Sequence, residues 1–159
     1  MKKVHIRSLK KNPEIKTVPL KLLALLVLEL EKASEDAEID ITIVDNIYIQ
    51  KLNKKYKKID SPTDVLSFPI EIETLPSERS KREVDVGTGL KTIPTKFLGD
   101  IYVSLDKAKE QISPGETLEL EVSRLLIHGI LHLLNYKHGK KMEEKQENYL
   151  KKYQILKSK

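Results

Sequence analysis

Three of the chain's four histidines, His128, His132 and His138, fall within eleven residues, in the segment His-Gly-Ile-Leu-His-Leu-Leu-Asn-Tyr-Lys-His. Residues four apart on a helix are separated by about 40° around the axis and about 6 Å along it, so His128 and His132 can present their imidazoles side by side to one ion. Asn135 tolerates the left-handed backbone that ends a helix, and a reversal there brings in His138. Three protein ligands leave one position of a tetrahedron open, the pattern of a catalytic rather than a structural zinc site. Zinc is therefore the default ion, although imidazoles also suit nickel, copper or iron. A bare His-x-x-x-His pair is more often two packed or surface histidines. The third histidine, at ligand spacing around a helix end, turns the balance toward a metal. His5 lies far from this group and reads as a strand surface residue.

The three offsets equal those of the metzincin protease pattern His-Glu-x-x-His-x-x-Gly-x-x-His, but Gly129 stands where that pattern has glutamate. The glutamate is the base that takes a proton from water at the metal, and glycine cannot do so, which argues against peptide hydrolysis by that route. Glycine inside a helix costs about 1 kcal/mol relative to alanine. Gly129 therefore either gives a substrate backbone close access or lets a neighbouring element pack closely. A second constellation, Lys51, Lys54, Lys55, Lys57 and Lys58, crowds the end of another expected helix. Lysines there are favoured by the helix dipole and are usually only solvated, but beside a hydrolytic metal they would supply phosphate contacts.

These groups need a scaffold. At 159 residues, with 39% hydrophobic and 33% charged residues, the chain fits one domain with a real core, residues 1–159. Cysteine is absent, which excludes disulfides, thiolate ligands and a cysteine nucleophile and fits a reducing cytosol. The net charge of +5 is compatible with a polyanionic partner. The apolar run Leu22 to Leu28 meets Glu29 and Glu31 at once and is too short to span a bilayer, so a cytoplasmic protein with no membrane partner is expected.

Strands are predicted at Lys3–Ser8, Ile39–Val44, Val65–Ile70 and Leu98–Val103. A leucine-rich helix from Pro19 to Ala33, apolar around most of its circumference, is placed at the centre of an α+β sandwich with a small mixed sheet of about four strands. A helix capped by Asp45 is expected to run to Lys57, and a short one from Leu105 to Ile112. Ser113-Pro-Gly-Glu116 reads as a capping box opening a helix that carries two histidines to Leu134. A final charged helix is expected from Lys140 to Leu156. The stretch Thr74 to Thr92, with few large apolar groups, reads as a mobile loop.

The segment His128, Gly129, Leu131, His132, Leu133, Tyr136 and His138 resembles the YbeY family of metal-dependent endoribonucleases. Leu52-Asn53, Tyr56, Pro62-Thr-Asp-Val-Leu-Ser-Phe-Pro69 and Leu98-Gly-Asp-Ile101 resemble its further signatures, in the same order from Asn46 to His138. The resemblance implies a YbeY-like metallohydrolase that cuts single-stranded RNA, matures the 3′ end of small-subunit ribosomal RNA and serves ribosome quality control. Ribosomal RNA and the small subunit are the implied partners, and one zinc ion the cofactor. It also implies a phosphate-binding, catalytic role for Lys57, helped by Lys54 and Lys55. Ser67 and Asp100 would line the cleft, Asp100 by accepting a hydrogen bond from a ligand histidine. Asn135 replaces a family glycine, Lys137 an aspartate beside the third ligand, and Lys57 an arginine, which keeps charge but loses the planar two-pronged grip. Two rival readings share the histidines: a metallopeptidase, and a non-catalytic ribosome-assembly factor.

Overall fold

The computed structural model describes residues 1–70 and 96–159, so the stretch Thr74 to Thr92 lies outside the described residues. Strand β1 (Lys3–Ser8) leads through helix α1 (Thr17–Leu30) to β2 (Ala37–Val44). Helix α2 (Asn46–Leu52) widens into a π-turn at Asn53–Lys57, followed by β3 (Val65–Pro69). Beyond it come β4 (Lys96–Ser104), α3 (Leu105–Gln111), α4 (Leu118–Leu133) and α5 (Lys140–Lys157). All four expected strands are present and form one mixed sheet in the order β1-β2-β4-β3. Strands β1, β2 and β4 run parallel, and β3 lies antiparallel to β4 at the edge.

Side chains alternate across a strand, and the two faces of this sheet are covered differently. Ile39, Ile41 and Ile43 of β2 and Ile101 and Val103 of β4 join the main core with α1 and α4. On the opposite face Val44, Leu66, Phe68 and Tyr102 meet Ile49 and Leu52 of α2 in a smaller cluster. The architecture is thus the expected α+β sandwich, with one difference in its centre. Helix α1 buries Leu20, Leu23, Ala24, Val27 and Leu28 but leaves Val18 and Leu22 exposed. The enclosed helix is α4, which buries residues around most of its circumference, among them Leu126, Ile127, Ile130 and Leu131. A run of leucines marks apolar content, whereas enclosure depends on how many elements pack against the helix, and α1, α3, α5, β3 and β4 all lean on α4.

The start of α4 corrects the expected capping box. The Ser113 carbonyl accepts from Glu116 N at 3.0 Å, and Gly115 has φ +82°, so Ser113-Pro-Gly-Glu116 is a turn with proline second and a left-handed glycine third. The helix begins five residues later, where the Thr117 hydroxyl accepts from Leu120 N at 3.1 Å. Helix α2 also departs from expectation. Asp45 caps it through Tyr48 N at 2.8 Å, but the α-helix stops at Leu52 and the chain reaches Lys57 through the wider turn. Asn53 is buried there, donating to Ser61 O at 2.9 Å, and Lys58 closes the turn with φ +62°.

The cap assignment has a direct test. Thr117→Ala is expected to lower unfolding free energy by about 0.5–2 kcal/mol, whereas Ser113→Ala should stay within about 0.5 kcal/mol of the parent in urea denaturation.

Candidate metal centre

The last two turns of α4 carry His128 and His132 on one side, and the helix then ends as Asn135 allows. Asn135 has φ +69°, its N–H donates to His132 O at 3.0 Å, and Tyr136 N–H reaches back to Leu131 O at 3.0 Å. This is the paired hydrogen-bond pattern that satisfies the last carbonyls of a helix around a left-handed residue. The chain turns back and delivers His138. Ring centroids lie 4.5 Å apart for His128 and His132, 4.4 Å for His132 and His138, and 5.1 Å for His128 and His138. One ligand nitrogen from each ring falls within 4.8 Å of the others.

The donor chemistry fits a cation. Tyr136 O, which can only accept, lies 3.1 Å from His132 Nδ1, so that nitrogen carries the proton and Nε2 presents its lone pair. His128 Nδ1 lies 3.0 Å from Gln146 Oε1 of α5, which sets the same tautomer. The two Nε2 atoms then face each other at 3.0 Å, where bare lone pairs repel and a shared positive ion relieves them. Tetrahedral zinc, with Zn–N of about 2.0–2.1 Å, holds two ligand nitrogens about 3.3 Å apart, close to that spacing. Burial, followed by the nearby His128, His138 and Lys57, pushes the His132 imidazole below its ordinary value of 6.5, so it stands neutral and ready to ligate near pH 7. His128 and His132 are half-buried and His138 is exposed, which leaves one side of the cluster open to solvent.

Behind Tyr136 stands a buried network that connects three elements. Its hydroxyl donates to Glu31 Oε2 at 2.7 Å, and the same carboxylate accepts from Lys145 Nζ at 2.9 Å and from the Tyr149 hydroxyl. Burial works to raise the Glu31 carboxyl, but the hydrogen bonds from Tyr149, Tyr136 and Lys145 outweigh it and hold the group below the usual glutamate range. Neither Glu31 nor Gln146 was singled out by the sequence reading. The available signal was their position: Lys145 and Gln146 interrupt the inward stripe of α5 formed by Met142, Tyr149, Leu150 and Tyr153.

The other site residues divide between the faces of the sheet. Ser67 Oγ donates to Gly129 O at 3.0 Å, fastening edge strand β3 beneath the ligand helix. A Cβ on Gly129 would lie 2.8 Å from Ile101 Cγ2, 3.2 Å from Ser67 Oγ and 3.3 Å from Val65 Cγ2, so the glycine lets α4 lie close on the sheet. Asp100 pairs in register with Asp40 and Phe68, whereas its neighbour Ile101 lies in the main core beneath α4. Strand alternation therefore turns Asp100 to the face away from the histidines, and the hydrogen bonds of His128 and His132 go to Gln146 and Tyr136 instead. The lysines sit around the edge. Lys57 Nζ lies 5.7 Å from the Phe68 ring centroid and is close enough to act on His132, Lys55 stands over Tyr56, and Lys54 is 3.5 Å from Asp60. Lys137 is exposed.

Fold and cluster together define an α+β protein with an open group of three imidazoles able to take a metal ion. Comparison with known proteins narrows that class. Residues 5–157 match the family described as Endoribonuclease YbeY, and the chain belongs to it. Endoribonuclease YbeY of Geobacillus kaustophilus is 37% identical over 159 residues, spanning 94% of this chain and 96% of that one. The Bacillus licheniformis protein of the same name is 40% identical over 145 residues, 91% and 85% of the two chains. Among solved structures, the solution structure of TM1509 from Thermotoga maritima is similar with a TM-score of 0.55 and 27% identity, covering 94% of this chain and 88% of that one. No helix among the described residues is long and apolar enough to cross a membrane.

Two outcomes check the site. Gln146→Ala should weaken zinc or nickel affinity about 10- to 100-fold in a chelator-competition titration, with Gln146→Glu retaining most of it. Because His132 binds its proton more weakly folded than unfolded, metal-free protein should lose stability as the pH falls below 6.5, the unfolded chain protonating first. Its contribution is fully present above that value, and His132→Asn should flatten this part of the Tm–pH curve.

Proposed function

We propose that the protein is a zinc-dependent endoribonuclease that cuts single-stranded RNA in the maturation of small-subunit ribosomal RNA. The observation that carries this reading is the three-imidazole cluster with Lys57 beside it, in a chain whose relatives bear the name Endoribonuclease YbeY. His128, His132 and His138 would hold the ion, the first two through Nε2 atoms whose Nδ1 partners are already fixed by Gln146 and Tyr136 O. When bound, such a cation would supply Lewis acidity toward a phosphoryl oxygen and would lower the pKa of a coordinated water to about 7.

The chain's own groups do the rest. Gly129 has no side chain to act as a base and is packed against Ile101, so the glutamate of the metallopeptidase pattern has no counterpart at that position. Lys57 is exposed at the end of the π-turn and close enough to His132 to lower its pKa, a position from which it offsets charge on a phosphate held at the cluster. Its ammonium is a point charge, so it binds one oxygen at a time. Lys55, in the same π-turn, extends the positive surface beside Lys57, as does Lys54 with its charge shared with Asp60. Interaction with the ribosomal small subunit in the cytoplasm follows from the same reading.

The deciding experiment measures metal content together with cleavage of ribosomal RNA fragments by wild type, Lys57→Ala and His132→Ala. His132→Ala should lose both metal and cleavage. Lys57→Ala should keep its metal and lose about 10²–10³ in kcat, with Lys57→Arg recovering most of it. Equal cleavage by all three proteins would mark a contaminating nuclease and overturn the proposal. Unchanged RNA association without any metal-dependent cleavage would favour an assembly factor.

A further inference from the structure

Half of the chain's six tyrosines and two phenylalanines meet in one connected row on the face of the sheet away from α4. Tyr48 of α2 stacks on Tyr102 of β4 with centroids 6.2 Å apart. Tyr102 meets Phe68 of β3 edge to face at 5.9 Å, and Phe68 meets Tyr56 of the π-turn at 5.2 Å. The two inner rings are half-buried, whereas Tyr56 is 55% exposed although its edge is held by Phe68. Lys55 Nζ stands 5.1 Å from the Tyr56 centroid and Lys57 Nζ 5.7 Å from that of Phe68. A large aromatic side chain that stays open to solvent, is braced from behind and is flanked by ammonium groups combines the two features of a surface for unpaired nucleotides.

We infer that Tyr56 is a stacking platform for one unpaired base of the RNA, at the sheet edge whose other face carries the ligand helix, so that the adjoining phosphate lies within reach of Lys57. The inference deepens the nuclease reading and rests on it. Three physical points carry it. The ring already packs against Phe68, which reduces the side-chain entropy that stacking a base must remove. The flanking lysines complement a phosphate backbone, and duplex RNA, whose bases are stacked on one another, cannot use the ring. Finally, the platform adjoins the site through edge strand β3, where Phe68 braces Tyr56 and the preceding Ser67 donates to Gly129 O, next to His128. The preference is for single strands with little regard to base identity, since every base has a π-face.

The test uses metal-free full-length protein and single-stranded RNA carrying 2-aminopurine, read by anisotropy and by quenching of the probe. Tyr56→Leu should weaken binding about tenfold to a hundredfold, Tyr56→Phe should bind within about twofold of wild type, and probe quenching should disappear only in the leucine variant. The salt dependence separates stacking from a structural role. Tyr56→Leu should leave the slope of log K against log salt unchanged, whereas Lys55→Ala should reduce it by about 0.7. Wild-type affinity or persistent quenching in Tyr56→Leu would overturn the platform, as would an altered salt slope in that variant. If wild type still cuts RNA in a metal-dependent way, such a result removes the platform alone. If wild type neither binds nor cuts, the nuclease reading falls with it.

Discussion

Two of the three clustered histidines, His132 and His138, are positioned by the hydrogen bonds of a single residue, Tyr136. Its N–H closes the end of α4 on Leu131 O, its carbonyl accepts from His132 Nδ1, and its hydroxyl is tied to Glu31 at the end of α1. The first bond fixes where the chain turns back toward His138. The second sets the tautomer that leaves His132 Nε2 free to ligate, and the third anchors the turn to the body of the protein. Losing the backbone geometry here would disturb two ligands at once.

The anchor itself sits against electrostatic intuition. Glu31 is the C-terminal cap of α1, where the helix dipole disfavours negative charge, and its side chain is only 8% exposed. A carboxylate so placed persists because Lys145, Tyr136 and Tyr149 all donate to it. Removing one donor leaves buried charge less compensated, so the network is held or lost as a unit. It joins α1, the ligand turn and α5, and α5 also supplies Gln146 to His128. The charged final helix is therefore part of the support of the site rather than a solvated tail.

Much of this was legible in the sequence where a local rule decides. The strands, the four-residue histidine spacing and the left-handed Asn135 follow from periodicity and backbone sterics, and each stands where it was expected. One misreading arose because a short motif fits two local structures. Ser113-Pro-Gly-Glu116 satisfies a capping box, yet proline then glycine also satisfies a turn, and the apolar face that fixes the helix starts only at Leu118. Asp100 illustrates the other limit. Its motif places it near the site in sequence, but the alternation of buried Ile101 and Val103 sends it to the far face, information that resides in strand register. Glu31 contacts the ligand turn across 105 residues of chain and Gln146 contacts His128 of α4 across 18, beyond any local pattern.

The position of Lys57 shows how the two faces of the sheet are made to cooperate. Edge strand β3 presents Ser67 to the ligand helix and Phe68 to the aromatic row, because consecutive residues of a strand point to opposite sides. Lys57 reaches both, its ammonium lying over Phe68 and its field felt at His132. A regular α-helix would advance Tyr56 and Lys57 by about 100° per residue. The wider π-turn, pinned by buried Asn53 and closed by left-handed Lys58, instead holds them beside Phe68 at the sheet edge. A lysine held there adds its repulsion to the burial and neighbouring imidazoles that lower the His132 pKa. One lysine is thus placed against both faces, and an edge strand, open on one side, is where the sheet allows this.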